Sequence, residues 1–174
     1  MNESDLQTLY TQVLALSQNI PHNQRLENAD TSVTMVSPLC GSQVSVDLKL
    51  ADGIIEDFGQ KVRACTLGAA AASMVGDKVV GRPVSELIAL RNTMHDMLKN
   101  NGPAPTGEWQ QLAILEAARD LVSRHGSIML VFDGICEALR EIQDPANNSV
   151  ADAKSQSSGI PNAPVKGIPD TVRA

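Results

Sequence analysis

Cys40 and Cys65 are the side chains with the most chemical reach in this 174-residue chain. Cys40 lies in Ser37-Pro38-Leu39-Cys40-Gly41-Ser42, directly ahead of the alternating run Val44-Ser45-Val46-Asp47-Leu48-Lys49-Leu50. Cys65 lies in Val62-Arg63-Ala64-Cys65-Thr66-Leu67-Gly68, ahead of the small-residue run Ala69 to Ala72. One thiol therefore precedes a strand, and the other sits where a strand gives way to a helix. A thiol in such a turn is held by rigid neighbours yet stays reachable, which suits metal binding or sulfur transfer. Spacing alone is equally compatible with two bystander loop cysteines. Three cysteines is an odd number, so an all-paired disulfide framework is excluded. The polar, acidic start Met1-Asn2-Glu3-Ser4-Asp5 resembles no export signal, and we expect a cytoplasmic protein with reduced thiols.

The elements that position these thiols can be read from periodicity. Ser4-Asp5 caps a first helix carrying Leu6, Leu9, Tyr10, Val13 and Leu14, and Pro21-His22-Asn23 ends it. Ser32 to Val36, Gln43 to Leu50 and Ile54 to Val62 read as strands, and Asp52-Gly53 between the last two is a hairpin signal. Helices are expected over Leu67–Val75, from Pro83 to Leu98, over Trp109–Val122 and over Ile128–Ile142. The predicted class is α+β: a three-stranded antiparallel sheet with helices packed on one face. Residues 1–142 would form one domain and residues 143–174, without apolar periodicity, a disordered tail.

Composition narrows the function. A formal charge of −6 with no basic cluster argues against nucleic-acid binding. No apolar stretch approaches the roughly 18 residues that span a bilayer, so no membrane partner is expected. With only 2% aromatic residues, the core must be built from aliphatic side chains and methionine.

Taken in order, these segments resemble the N-terminal family of IscU, SufU and NifU, the scaffold proteins of iron–sulfur cluster assembly, over roughly Leu6 to Leu139. Pro38-Leu39-Cys40-Gly41 is similar to the family's Asn-Pro-x-Cys-Gly-Asp. Leu50-Ala51-Asp52-Gly53-Ile54-Ile55-Glu56-Asp57 is similar to the hairpin after it. Ala64-Cys65-Thr66-Leu67 with Ala70-Ala71-Ala72-Ser73-Met74 is similar to Gly-Cys-x-Ile-Ser-x-Ala-Ser-Ala-Ser-Met. The resemblance implies a site in which three cysteines and an aspartate hold iron, zinc or a nascent iron–sulfur cluster. It also implies a cysteine desulfurase as sulfur donor and apo iron–sulfur proteins as recipients.

Two of the family's four ligands are changed. Ser42 stands in the place of the aspartate. In the segment matching the third cysteine, Ser123-Arg124-His125-Gly126-Ser127, that place holds Ser127. Cys136 lies nine residues further on, about 900° and roughly 13 Å along a helix, and reads as a small core hydrophobe. His125 is then the candidate third ligand beside Cys40 and Cys65, since imidazole binds both zinc and iron. Ser42 and Ser127 would hydrogen-bond a thiolate or cap a helix. Arg124 would either lower a thiolate pKa or pair with Asp120 or Asp133. The family's chaperone-binding Leu-Pro-Pro-Val-Lys is replaced by Leu121-Val122-Ser123-Arg124. Three readings follow: a cluster scaffold holding iron, zinc or a cluster, a thiol-based sulfur relay, and an interaction module with a degenerate, metal-free site.

Overall fold

The computed structural model describes residues 3–144; the expected tail falls almost entirely outside them. The element order is α1 (Glu3–Gln18), β1 (Thr31–Val36), β2 (Gln43–Ala51), β3 (Ile54–Arg63), α2 (Thr66–Gly76), α3 (Val84–Lys99), a 3₁₀ helix (Gly107–Ala118) and α4 (Val122–Gln143). The three strands form one antiparallel sheet in sequence order, so the expected α+β architecture is what the chain adopts. Asp52 and Gly53 take φ of 52° and 76°, the mirror-image turn that matches the twist of a tight hairpin, and Ala51 pairs directly with Ile54 across it. Among the described residues no helix is long and apolar enough to cross a membrane.

Alternation on β2 sends Val44, Val46 and Leu48 into the core. α4 covers β1 and β2, and α2 lies against β3 and α4. On α4 the buried Ile128, Phe132, Ile135 and Leu139 recur at helical spacing, and Gly134 lies against the sheet, where a Cβ would come within 3.1 Å of the Val46 side chain. Four alanines of α2, Ala69 to Ala72, are buried, and their small side chains let neighbouring elements approach closely.

The opposite face of the sheet is not bare. Asp47 is fully buried there, and Arg25 donates from Nε and Nη2 to its two oxygens at 2.6 and 2.7 Å while the Leu26 N–H donates at 2.9 Å. This carboxylate thus straps the segment after α1 onto the sheet. Burial alone would raise its pKa, but the bonds from Arg25, Ser32 and Leu26 outweigh it and hold the group below the usual range. A depressed carboxyl pKa contributes stability that is present above the unfolded value near 3.9 and lost as pH falls through the folded one. Asp47→Ala should therefore cost about 1–3 kcal/mol at neutral pH in urea unfolding, and the gap to the unmodified protein should close below about pH 4. An unchanged gap at pH 3 would show that Asp47 acts through shape alone.

Two expected boundaries need correction. The stretch expected as an α-helix over Trp109–Val122 is a run of 3₁₀ turns ending at Ala118. Its buried residues Trp109, Leu112, Leu115 and Ala118 recur every third position, which three residues per turn places on one side. The last helix begins at Val122 rather than Ile128, and this early start decides where His125 and Ser127 point.

Candidate functional site

The β1–β2 connection is a closed turn. The Ser37 N–H donates to the Ser42 carbonyl at 2.8 Å and the Gly41 N–H to the Ser37 carbonyl at 2.9 Å. Gly41 has φ of +66°, a left-handed conformation that glycine adopts without strain. Cys40 stands on this turn, half-buried, with its Sγ 3.4 Å from Ser37 Oγ and 3.1 Å from Ser42 Oγ. Cys65 is the residue ahead of the first turn of α2 and is also half-buried. Its Sγ lies 3.2 Å from Ser127 Oγ on α4. Ser127 Oγ in turn donates to Ser42 Oγ at 3.0 Å.

The two sulfurs are thus joined through two buried hydroxyls, in the order Cys65, Ser127, Ser42, Cys40. Valence sets the direction of the chain. A serine hydroxyl has one proton to give and two lone pairs to fill. Ser42 Oγ accepts from Ser127 and from the Cys65 N–H at 3.3 Å, and the Cys40 thiol donates towards it at 3.1 Å; once that proton is lost, the hydroxyl can turn its own to the sulfur. A sulfur facing a donor is best satisfied as a thiolate. Bonds from the Ser37 hydroxyl first, then the Ser42 hydroxyl and N–H, bring the Cys40 pKa down to about 7 against the opposing effect of burial. About half of Cys40 is then ionised at neutral pH. Removing the donor should reverse this: Ser42→Ala is expected to move the midpoint of the pH profile for Cys40 alkylation up by about one unit and slow the reaction several-fold at pH 7. An unmoved midpoint would mean that Ser37 alone holds the thiolate.

The structure brings Cys40, Cys65, Ser42 and Ser127 together and leaves His125 out. His125 is two residues, about 200°, around α4 from Ser127. Its buried Nε2 lies 3.0 and 2.9 Å from the carbonyl oxygens of Ala118 and Arg119, closing the end of the 3₁₀ helix. Both neighbours are acceptors, so Nε2 carries the proton. Among the described residues no group of three or more histidine, cysteine, aspartate or glutamate side chains is placed to hold a metal ion.

Cys136 sits half-buried on α4, and burial, the dominant influence, raises its thiol pKa. Asp133 pairs with Arg91 at 2.8 Å rather than with Arg124. Arg124 instead lines, with Cys65, Leu67, Ile114 and Leu121, an apolar cavity of about 370 Å³. His22 packs edge-on against Phe58, with ring centroids 6.1 Å apart. His95 is a surface residue, with Nδ1 3.5 Å from Asp96. Sequence reasoning overlooked Ser37. Its signal was a serine three residues ahead of a cysteine in a Pro-Gly turn, a placement from which a hydroxyl can fold back onto the sulfur.

The chain matches the family model described as the NifU-like N-terminal domain over residues 9–123. It is similar to the iron–sulfur cluster assembly scaffold protein IscU of Streptococcus pyogenes serotype M1, at 26% identity over 79% of this chain and 86% of that protein. It is also similar to the zinc-dependent sulfurtransferase SufU of Bacillus subtilis, at 28% identity over 55% of this chain and 65% of that protein. Its fold superposes on the crystal structure of a nitrogen-fixing NifU-like protein (N-terminal) from Brucella abortus with a TM-score of 0.77 and 38% identity, covering 80% of this chain and 97% of that one. With a family model spanning well over half its length and this structural likeness, the chain belongs to the family of the NifU-like N-terminal domain.

Proposed function

We propose that this protein serves iron–sulfur cluster assembly as a sulfur acceptor and relay, taking sulfane sulfur from a cysteine desulfurase onto Cys40 and passing it towards apo iron–sulfur proteins in the cytoplasm. The observation that carries this reading is the half-buried Cys40 sulfur held by Ser37 and Ser42, with a second thiol at the far end of the same hydrogen-bond chain. The Cys40 thiolate attacks the outer sulfur of the desulfurase persulfide. A new sulfur–sulfur bond forms at Cys40, the old one breaks, and the desulfurase cysteine leaves as a thiolate. No oxidant is consumed.

The scaffold reading has its own support, since two thiols that converge on one site could bridge iron of a nascent cluster. In that case the cluster is cargo, and Cys40 and Cys65 alone would supply its soft ligands. His125 adds nothing to either reading while its ring holds Ala118 and Arg119. The test is anaerobic incubation of the full chain with a cysteine desulfurase and cysteine, followed by tagging and mapping of persulfides. The expected result is one extra sulfur on the Cys40 peptide. Labelling spread evenly over Cys40, Cys65 and Cys136, or none at all, would overturn the relay. Chromophore formation with ferrous iron and sulfide, in the absence of any persulfide, would favour the scaffold.

A further inference from the structure

We infer that Ser42 and Ser127 decide what this site accepts: by replacing two metal donors with a hydroxyl bridge they turn a zinc-type site into one that carries sulfur without a resident metal. The inference deepens the relay reading and rests on it for its meaning, but its test reads metal and sulfur separately.

The donor set is the first argument. A closed zinc site takes four nitrogen, thiolate or carboxylate donors. Here the four atoms that converge are two cysteine sulfurs and two serine oxygens, and a neutral hydroxyl is a weak ligand for zinc or ferrous iron. Among the described residues no histidine or carboxylate stands in reserve, because His125 is spent on the carbonyls of Ala118 and Arg119.

Spacing is the second argument. Tetrahedral bonds of about 2.3 Å to sulfur and about 2.1 Å to oxygen hold neighbouring donors about 3.4–3.8 Å apart. The oxygens of Ser42 and Ser127 are 3.0 Å apart, and each sits 3.1–3.2 Å from its sulfur. These are hydrogen-bond separations. The atoms that would surround a metal satisfy one another instead, and Ser42 and Ser127 are both buried, so opening the bridge would leave hydroxyls without partners.

Hydroxyls also stand beside Cys40, where a metal would otherwise bind. A bound cation lowers a thiol pKa by its charge. At Cys40 the neutral hydroxyls of Ser37 and Ser42 stand 3.4 and 3.1 Å from the sulfur instead, leaving its lone pairs free to attack an incoming persulfide.

The test is anaerobic titration of the full chain with cobalt(II), a coloured stand-in for zinc, followed by zinc competition. The unmodified protein should show no thiolate–cobalt charge-transfer band at stoichiometric metal. Combining Ser42→Asp with Ser127→Cys supplies a carboxylate and a third thiolate in place. This variant should develop the tetrahedral cobalt spectrum and bind zinc at least about a hundredfold more tightly. Adding Cys65→Ser should abolish the gain. A stoichiometric tetrahedral cobalt spectrum in the unmodified chain would overturn the inference, whether or not the double variant folds. So would a folded double variant, judged by circular dichroism, that gains nothing. Persulfide loading in the presence of a zinc chelator is the separate arm. If the chelated, unmodified chain takes no sulfur, the relay fails while the absence of resident metal stands.

Discussion

Cys40→Ser should abolish sulfur loading, lowering the persulfide yield from a cysteine desulfurase by at least about a hundredfold. A serine hydroxyl stays protonated at neutral pH and is a poor nucleophile towards sulfur, whereas Cys40 is about half ionised there. Cys65→Ser should behave differently. A hydroxyl at position 65 can still donate to Ser127, so the chain to Cys40 survives and first loading continues while onward transfer slows. Cys136→Ser should leave loading unchanged, because burial keeps that thiol protonated, and should cost no more than about 1 kcal/mol. The measurement is intact mass under anaerobic conditions, before and after reduction. Persulfide at the unmodified level in Cys40→Ser would remove Cys40 from the reaction.

The second large effect is structural. A Cβ at Gly68 would lie 2.4 Å from Ser127 Oγ and 2.8 Å from the Ser127 carbonyl oxygen. α2 and the first turns of α4 meet so closely that any side chain there must push them apart. Gly68→Ala should cost about 1–3 kcal/mol through overpacking, read as a fall of several degrees in Tm. It should also separate Ser127 from Cys65. Adding Ser127→Ala removes one of the two clashing atoms and should recover part of the loss, a coupling that a double-mutant cycle measures. If Gly68→Ala melts with the unmodified protein, the close approach of α2 to α4 is not what holds the site.

The parts of this molecule governed by local rules were legible in its sequence. Alternation in Val44 to Leu50 and the Asp52-Gly53 turn specified the sheet, and the residues flanking Cys40 and Cys65 placed both thiols at element ends. The end of the chain's helical half was harder to read. Apolar residues at 109, 112, 115 and 118 fit a period of three as well as one of 3.6, and only packing separates them. Ser127 read as a cap ahead of a helix starting at Ile128. In the structure the Arg124 N–H bonds to the Leu121 carbonyl at 2.7 Å and the His125 ring ties back to the 3₁₀ helix, so α4 starts early. That six-residue difference turns His125 away from the thiols and Ser127 towards them. Each serine was expected to bond a thiolate, but the link between the two hydroxyls was invisible for another reason: no local pattern tells one serine that its partner is 85 residues away.

That separation has a bearing on folding. The bonds that build the site join residues 2, 3, 23, 62 and 85 positions apart. The first two can form within a nascent turn; the others wait until strand pairing and helix docking are complete, the slow, high-contact-order steps. A chain still folding, or one that has opened at α4, keeps Ser37 and Ser42 beside Cys40 but lacks the Ser127 link that joins Cys65 to them. The pairing of the two thiols is therefore gated by topology: they come into one site at the same moment the molecule becomes native, and onward transfer from Cys40 should fall as hydrogen exchange at the first turns of α4 rises.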